Sequence, residues 1–161
     1  MENLSTLVPY SEGVRSESAA RAHLDNTPDT LQLKNMKVTA LRIIEALYGH
    51  FGREKISWTS FFRSAAVNHL IGGAEHSQHV EGKAVDTYAV SGHGITNEDI
   101  FQWAIHELNF DQIIKECPDA HGNPAWVHIS YDSDKPVQRK QILIAHRKEG
   151  GGFTYEPYIR V

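Results

Sequence analysis

The feature that most constrains this fold is a set of three side chains able to bind one metal ion. His79 and Asp86 lie within the run Ser-Gln-His-Val-Glu-Gly-Lys-Ala-Val-Asp, and His128 lies far along the chain within Trp-Val-His-Ile-Ser. Two imidazoles and a carboxylate fill three tetrahedral positions of a zinc ion and leave the fourth for water, as in catalytic rather than structural sites. The fold must therefore bring two distant segments together.

The spacing of the first two residues argues against a helix between them. Seven residues correspond to about 10.5 Å along an ideal helix, whereas both side chains would have to reach one ion at about 2 Å. Gly82 also disfavours a helix. We therefore expect His79 in a loop, a turn at Gly82 and Asp86 on the following strand. On the later segment, strand alternation directs His128 to the same face as Trp126 and Ser130, and sends Val127 and Ile129 into the core.

Spacing alone leaves a simpler interpretation open. A single histidine on a strand is usually a hydrogen-bonded polar residue rather than a ligand. The chain has ten histidines, which modestly favours a metal site without identifying its members.

Composition narrows the class of protein. The chain has 161 residues, of which 40% are hydrophobic and 22% charged, as expected for one globular domain spanning 1–161. Its net charge of −4 gives no reason to expect nucleic acid as a partner. The single cysteine, Cys117, excludes an internal disulfide and a Cys-based zinc finger. We expect Cys117 to be a small buried residue rather than a nucleophile.

The sequence also bears on location. No apolar stretch approaches the roughly 20 residues that span a bilayer, so no membrane association is expected. The N-terminus has neither a basic region nor a long apolar core, unlike a secretory signal. We expect synthesis in the cytoplasm, with another route out if the substrate lies outside it.

Periodicity predicts an α+β fold with a largely antiparallel sheet flanked by helices, and a single zinc site in a central cleft. The N-terminal residues 1–25 are expected to be irregular, with one short helix near Glu17–Leu24, and to pack on the domain. Asn26-Thr27-Pro28 is expected to begin a helix that ends near Tyr48. A second helix is expected over Ser64–Leu70, and a third after the capping box of Thr96 and Asp99. Strands are expected at Lys55–Phe62, Ala84–Val90, Phe110–Cys117, Ala125–Tyr131, Gln138–Arg147 and Phe153–Val161.

Several short motifs occur in an order that resembles the zinc D-alanyl-D-alanine carboxypeptidase family, especially its small phage and prophage members. The most specific is Ser-x-His-x-x-Gly-x-Ala-x-Asp over residues 77–86, and the resemblance covers roughly residues 5–147. The weaker motifs are Asp25-Asn26-Thr27-Pro28, Phe62-Arg63-Ser64, Val67-Asn68, Gly72-Gly73-Ala74, residues 110–116 and Trp126-Val127-His128-Ile129-Ser130. The resemblance implies that His79, Asp86 and His128 bind the zinc ion.

The chain departs from the family at the position of the general base. Relatives often have a glutamate three residues before the last histidine, where this chain has Ala125, or a histidine two residues before it, where this chain has Trp126. Glu116 is our candidate, because its strand should lie beside that of His128. Asp119 and His121 are weaker alternatives, and a solvated glutamate at the strand end is the simpler interpretation.

The resemblance also implies substrate-binding residues. Arg63 is similar to the family arginine that holds carboxylate or carbonyl groups, a task suited to the paired hydrogen bonds of a guanidinium; a surface salt bridge is the alternative. Ser77 and Gln78 are expected to bind substrate or to orient His79. Phe61 and His76 replace the glycine and asparagine that are common in relatives.

The resemblance implies a zinc peptidase that cleaves bacterial peptidoglycan peptides. The bond would be D-Ala-D-Ala, as in a carboxypeptidase, or L-Ala-D-Glu, as in an endopeptidase. The expected setting is a phage or prophage enzyme that reaches the cell wall after release from the cytoplasm or as a virion component with other phage proteins. Two alternatives stay open: a non-catalytic zinc-containing structural or wall-binding module, and hydrolysis of another amide in a small peptide or antibiotic.

Overall fold

A computed structural model describes residues 2–160 of the chain. It has the predicted α+β architecture, built on one six-stranded sheet with the strand order β1-β2-β4-β3-β5-β6. The strands are β1 (Ile56–Ser60), β2 (Ala84–Ala89), β3 (Gln112–Glu116), β4 (Trp126–Ser130), β5 (Gln141–Arg147) and β6 (Phe153–Pro157). The helices are α1 (Tyr10–Gly13), α2 (Glu17–Ala22), α3 (Thr30–Thr39), α4 (Glu45–Phe51), α5 (Ala65–Leu70) and α6 (Asn97–Glu107).

The sheet is antiparallel at every pairing except one. Strands β3 and β5 are parallel, with Ile114 opposite Leu143. This pairing puts the final hairpin, β5 and β6, at one edge of the sheet, next to β3 rather than next to β4, which precedes it in the chain. The hairpin itself was predicted from the three glycines that connect its strands, and it is observed with Ala145 opposite Tyr155.

The hydrophobic core lies on one face of the sheet. Val85, Ile113, Val127 and Ile129 point to this face and are fully buried. They pack against apolar residues of α3, α4 and α6, which share their hydrophobic cluster. As strand alternation requires, the neighbouring side chains point to the other face. This second face can therefore carry polar side chains, on strands whose backbones are hydrogen-bonded within the sheet.

The long helix differs from its prediction at both ends. Asp29, and not Asn26, caps it, and it forms a capping box with Gln32. The Asn26 side chain instead donates hydrogen bonds to the carbonyls of Val14 and Phe62. A π-helical segment, Ala40–Ile44, joins α3 to α4, and the helix continues to Phe51 rather than ending near Tyr48. The capping box predicted at Thr96 is present.

The N-terminal segment is more regular than predicted. Residues 1–25 contain two short helices, and α2 is capped by the Ser16 side chain. Leu4 and Val8 are buried in the main core, so this segment packs on the domain. The predicted strand that ends at Val161 is shorter, and Val161 itself lies outside the described residues.

No helix within residues 2–160 combines the length and the apolar character needed to cross a membrane.

Candidate metal centre

The three predicted ligands meet on the face of the sheet that points away from the core. Asp86 on β2 lies directly opposite His128 on β4. His79 reaches the same point from the turns before β2, and one potential ligand atom from each residue lies within 4.8 Å of the other two. The Oδ1 atom of Asp86 is 3.1 Å from His79 Nε2 and 3.0 Å from His128 Nδ1. The predicted loop, turn and strand arrangement of the first two residues is confirmed.

Helix α3 holds the turn that joins His79 to Asp86. Three of its polar side chains donate hydrogen bonds to consecutive carbonyls of this turn: Gln32 to Val80, Asn35 to Glu81 and Thr39 to Gly82. Asn35 and Thr39 are buried, so these bonds are shielded from water. Gly82 has φ of 72° and packs so closely on α3 that an added Cβ would lie 2.7 Å from the Gln32 carbonyl oxygen. The spacing of the two ligands therefore depends on a helix that contributes no ligand.

The hydrogen bond of His79 prepares it to bind a metal. Its Nδ1 lies 2.7 Å from the backbone carbonyl oxygen of Phe61, and because a carbonyl only accepts, Nδ1 carries the proton. The other nitrogen, Nε2, then presents its lone pair to the centre, and this buried atom has no hydrogen-bond partner among the described residues. Burial lowers the pKa of His79, which favours the neutral form that metals require.

The charge of Asp86 suits the same task. Burial alone would raise its pKa, but the imidazoles of His79 and His128 outweigh that effect and hold the pKa well below its ordinary value. An ionised carboxylate and two imidazole nitrogens form a donor set typical of zinc. These residues can therefore hold a metal ion.

Glu116 lines the same cleft, as the sequence predicts. It lies on β3, two residues beyond the position opposite His128, and its Cα pairs with that of Trp126. The side chain is only 7% exposed, and no positively charged partner neutralises it within the described chain. Burial therefore raises the pKa of Glu116 to about 7. His128 opposes this rise, and the Asp86 carboxylate adds a smaller contribution to it.

Arg63 follows β1, whereas Glu116 is on β3, and the strands that carry Asp86 and His128 lie between these two in the sheet. Nη2 of Arg63 is 3.4 Å from the Ser77 hydroxyl oxygen, and its Nε is buried without a hydrogen-bond partner in the described structure. Burial lowers its pKa, although the nearby Asp86 carboxylate opposes the shift. The surface salt bridge considered as an alternative is absent among residues 2–160. The guanidinium thus keeps donors free for an anionic or carbonyl group.

The residues before His79 are held by the ion pair of buried Asp111 with exposed Arg139. Gln78 donates a hydrogen bond of 2.9 Å to Asp111, which also binds Arg139 through both carboxylate oxygens. The hydroxyl oxygen of Ser77 lies 3.4 Å from the backbone nitrogen of His79. Both side chains line the cleft. Two roles were predicted for them, binding of substrate and orientation of His79, and their contacts within the protein fit the second.

The cleft has a volume of about 450 Å³ and extends well beyond the predicted residues. Sequence reasoning missed its wall of Ile114, Leu143, Phe153 and Tyr155. Strand alternation could have placed Phe153 and Tyr155 on one face, but the pairing of β3 with β5 had no local signal. Cys117 also differs from expectation: it is half-buried rather than buried, with a φ of 47° just after β3.

The weaker candidates for the base lie in the loop between β3 and β4. Asp119 accepts hydrogen bonds from the backbone nitrogens of His121 and Asn123, so it caps its own turn. Neither Asp119 nor His121 lines the cleft, whereas Trp126 does. The geometry therefore favours Glu116 over both.

Comparison with known proteins agrees with this geometry. A family model described as Peptidase M15 matches residues 8–130, a range that contains all three potential ligands, Arg63 and Glu116. No match was found among curated proteins.

Proposed function

This chain belongs to the Peptidase M15 family, and from that premise we propose that it is a zinc peptidase of bacterial peptidoglycan. Membership makes the chain a metallopeptidase, a hydrolase of peptide bonds. The identity of the metal, the bond that is cleaved and the role of each residue belong to the proposal. The observation that carries it is the convergence of His79, Asp86 and His128 beside a buried carboxylate.

The metal would be held by Nε2 of His79, Nδ1 of His128 and a carboxylate oxygen of Asp86. A zinc ion bound there would act as a Lewis acid, lowering the pKa of a water molecule and polarising the scissile carbonyl. One ion per chain satisfies the donor set. The hydrogen bond from His79 to the Phe61 carbonyl supports the proposal, because such partners fix the ring and tautomer of a ligating histidine.

Glu116 is the proposed general base. Its carboxylate faces the cleft beside the metal group, where it can accept a proton from the attacking water and deliver it to the leaving amine. A pKa of about 7 suits both transfers at neutral pH, since a catalytic group works best when its pKa lies near the operating pH. It would take over the task that relatives assign to the positions of Ala125 and Trp126.

Arg63 is the proposed substrate anchor. A carboxylate or carbonyl oxygen of the peptide would accept hydrogen bonds from the guanidinium, which lacks an acidic partner of its own in the described structure. Such charge-assisted bonds are strong and directional. They would set the distance between the anchored group and the scissile bond, so Arg63 contributes mainly to substrate positioning.

The setting of the reaction is also part of the proposal. We infer a phage or prophage enzyme that acts on the cell wall after release or as part of a virion. The substrates favoured are peptides with D-amino acids, cleaved at a D-Ala-D-Ala or an L-Ala-D-Glu bond.

Digestion of purified peptidoglycan from several wall types, followed by mass spectrometry, tests this function. We expect released D-alanine or peptide fragments, loss of release with a chelator, and recovery when zinc is added. The rival is a wall-binding module without catalysis, which the residues Ala125 and Trp126 favour because neither can transfer a proton. Stoichiometric zinc binding with no fragment from any wall type would support that rival.

A further inference from the structure

The C-terminal hairpin of β5 and β6 forms one end of the cleft. Leu143, Phe153 and Tyr155 all line the cavity that contains the metal group. They lie beyond residues 8–130, the range that matches the family model. This wall is therefore a feature of this chain that the family match does not account for.

The register of the sheet places Tyr155 in line with Glu116. Tyr155 lies opposite Ala145 on β5, Ala145 lies beside Glu116 on β3, and Glu116 lies opposite Trp126 on β4. The adjacent row contains Leu143, Ile114, His128 and Asp86. The small side chain of Ala145 is fully buried between Glu116 and Tyr155, and both of these residues line the cleft.

Tyr155 and Glu116 line the same cleft but are not bonded to each other. Burial raises the pKa of the Tyr155 hydroxyl, and the Glu116 carboxylate adds to that rise. Within residues 2–160, no hydrogen bond joins the two side chains, and the Tyr155 side chain keeps substantial exposure at 54%. Tyr155 is thus accessible to a substrate within the cleft that also contains the metal group.

The distance across the sheet sets the length of such a substrate. From β4, which carries His128, to β6, which carries Tyr155, there are three strand-to-strand steps. At about 4.8 Å per step this is roughly 14 Å. An extended peptide advances about 3.3 to 3.6 Å per residue, so about four residues separate a bond at the metal group from a group at Tyr155.

The chemistry of this end differs from that at Arg63. Arg63 offers a cation near β1, on the other side of the metal group, whereas Ile114, Leu143, Phe153 and Tyr155 offer aliphatic and aromatic surface. The rings of Phe153 and Tyr155 are tilted by 41° with centroids 6.5 Å apart, and so form two neighbouring apolar faces. Aliphatic side chains of a peptide are stabilised when they bury their apolar surface against such faces.

We propose that Tyr155 is a specificity-determining residue that binds an aliphatic side chain of the substrate about three to four residues from the scissile bond, on the side away from Arg63. The enzyme would then favour oligopeptides over dipeptides. This inference rests on the proposed function, because it takes the metal group as the place of cleavage.

Kinetics on peptides of increasing length test the inference. The probes are synthetic peptides that contain the bond cleaved in the peptidoglycan digest, or D-Ala-D-Ala if the digest gives no product, extended by one to four residues on one side at a time. We expect kcat/KM to rise by about tenfold or more when the extension reaches Tyr155. Tyr155→Ala should remove this gain mainly through KM, so that kcat/KM no longer rises with peptide length, while Tyr155→Phe should keep most of the gain.

The matched control is Thr154→Ala. Thr154 lies on the same strand, opposite His146 and on the other face of the sheet, so its replacement should leave the length dependence unchanged. Phe153→Ala truncates the same wall and replaces Tyr155→Ala if that variant does not fold. A Tyr155→Ala enzyme with the full length dependence would overturn the inference and leave the proposed peptidase function intact.

If no hydrolysis is seen, equilibrium binding tests the Tyr155 contact separately from the peptidase function. Calorimetric titration of the longest peptides into the zinc-loaded Glu116→Gln protein should give an affinity that the additional Tyr155→Ala change weakens about tenfold. This result without turnover in the wild type would contradict the peptidase function and support the Tyr155 contact. Absence of binding, or equal binding to both proteins, would overturn the contact.

Discussion

Glu116 is the residue whose environment departs most from that of an ordinary surface carboxylate. It is almost fully buried, it faces the metal group, and it has no cationic partner among the described residues. A buried carboxylate without a partner is costly to maintain. That cost is understandable if the group takes part in proton transfer.

Replacing Glu116 by glutamine should therefore reduce catalysis without removing the metal. The amide preserves the shape but cannot accept the proton, so we expect kcat to fall by a factor of about 100 or more. Steady-state kinetics on a cleaved peptide, together with the zinc content, measure both effects. Glu149→Gln, in the exposed hairpin loop, is the control and should retain full activity. A Glu116→Gln enzyme with wild-type turnover would eliminate this residue as the base.

The same residue should make the stability of the metal-free protein depend on pH. The pKa of Glu116 rises from an ordinary 4.5 to about 7 on folding. Between these two pKa values the folded protein binds more protons than the unfolded chain. The free energy of unfolding therefore falls as pH rises from about 4.5 to about 7, and this contribution levels off above that range. The full shift corresponds to roughly 3 kcal/mol.

Urea unfolding in the presence of a chelator, from pH 4 to pH 8.5, measures this dependence. Relative to the wild type, Glu116→Gln should gain about 1 to 3 kcal/mol at the upper end of the range and little at the lower end, where Glu116 is protonated in both states. Parallel stability curves for the two proteins would show that the carboxyl titrates normally.

At the scale of elements, the packing of the turn at Gly82 on helix α3 sets the geometry of the site. The Gly82 backbone has φ of 72°, and an added Cβ would lie 2.7 Å from both the Gln32 carbonyl oxygen and Met36 Cγ. Gly72 has a similar φ of 68° but has no neighbouring atom within 4 Å. The two glycines thus share a backbone conformation that other residues rarely adopt, and they differ in packing.

Gly82→Ala should destabilise the protein by about 3 kcal/mol and weaken metal binding, because the turn must move away from α3. Gly72→Ala should cost only about 1 to 2 kcal/mol, because the positive φ is unfavourable for alanine but no neighbouring atom has to move. Thermal unfolding and zinc titration compare the pair. Equal effects of the two substitutions would mean that the contact with α3 does not hold the turn.

Local patterns in the sequence predict the elements better than they predict the pairing between them. Alternation is enough to place His128 toward the cleft and Val127 in the core, since it depends only on strand geometry. The capping box at Thr96 is equally local. In contrast, the capping of α3 at Asp29 was missed, because Asn26 carries the same local signal yet bonds to Val14 and Phe62, which are distant in sequence.

The residues of the candidate site show the same difference between local patterns, which are predictable, and long-range contacts, which are not. The three potential ligands were found because their motifs are compact, and the structure brings them together. The hydrogen bonds that support them were not foreseen, since Thr39 and the Phe61 carbonyl reach the site only through tertiary packing. Tyr155 was missed for a similar reason: its place in the cleft depends on the parallel pairing of β3 with β5.

At the scale of the whole molecule, the sheet separates two tasks. One face buries the apolar residues that stabilise the fold, and the other holds the cleft, with Arg63 toward β1, the metal group over β2 and β4, and Tyr155 on β6. Metal binding on one face should therefore stabilise the whole fold, including the core on the other face, because a ligand that binds only the folded state adds to its stability.

The most direct test of this account is the zinc content of the purified protein, measured by elemental analysis after dialysis. We expect one zinc ion per chain in the wild type, and loss of that ion in His79→Ala, Asp86→Ala and His128→Ala. His76→Ala is the control, since His76 is an exposed histidine of the same cleft that does not belong to the group of potential ligands. Retention of zinc in all three ligand variants, or no zinc in a folded wild type to which zinc has been added, would contradict the account.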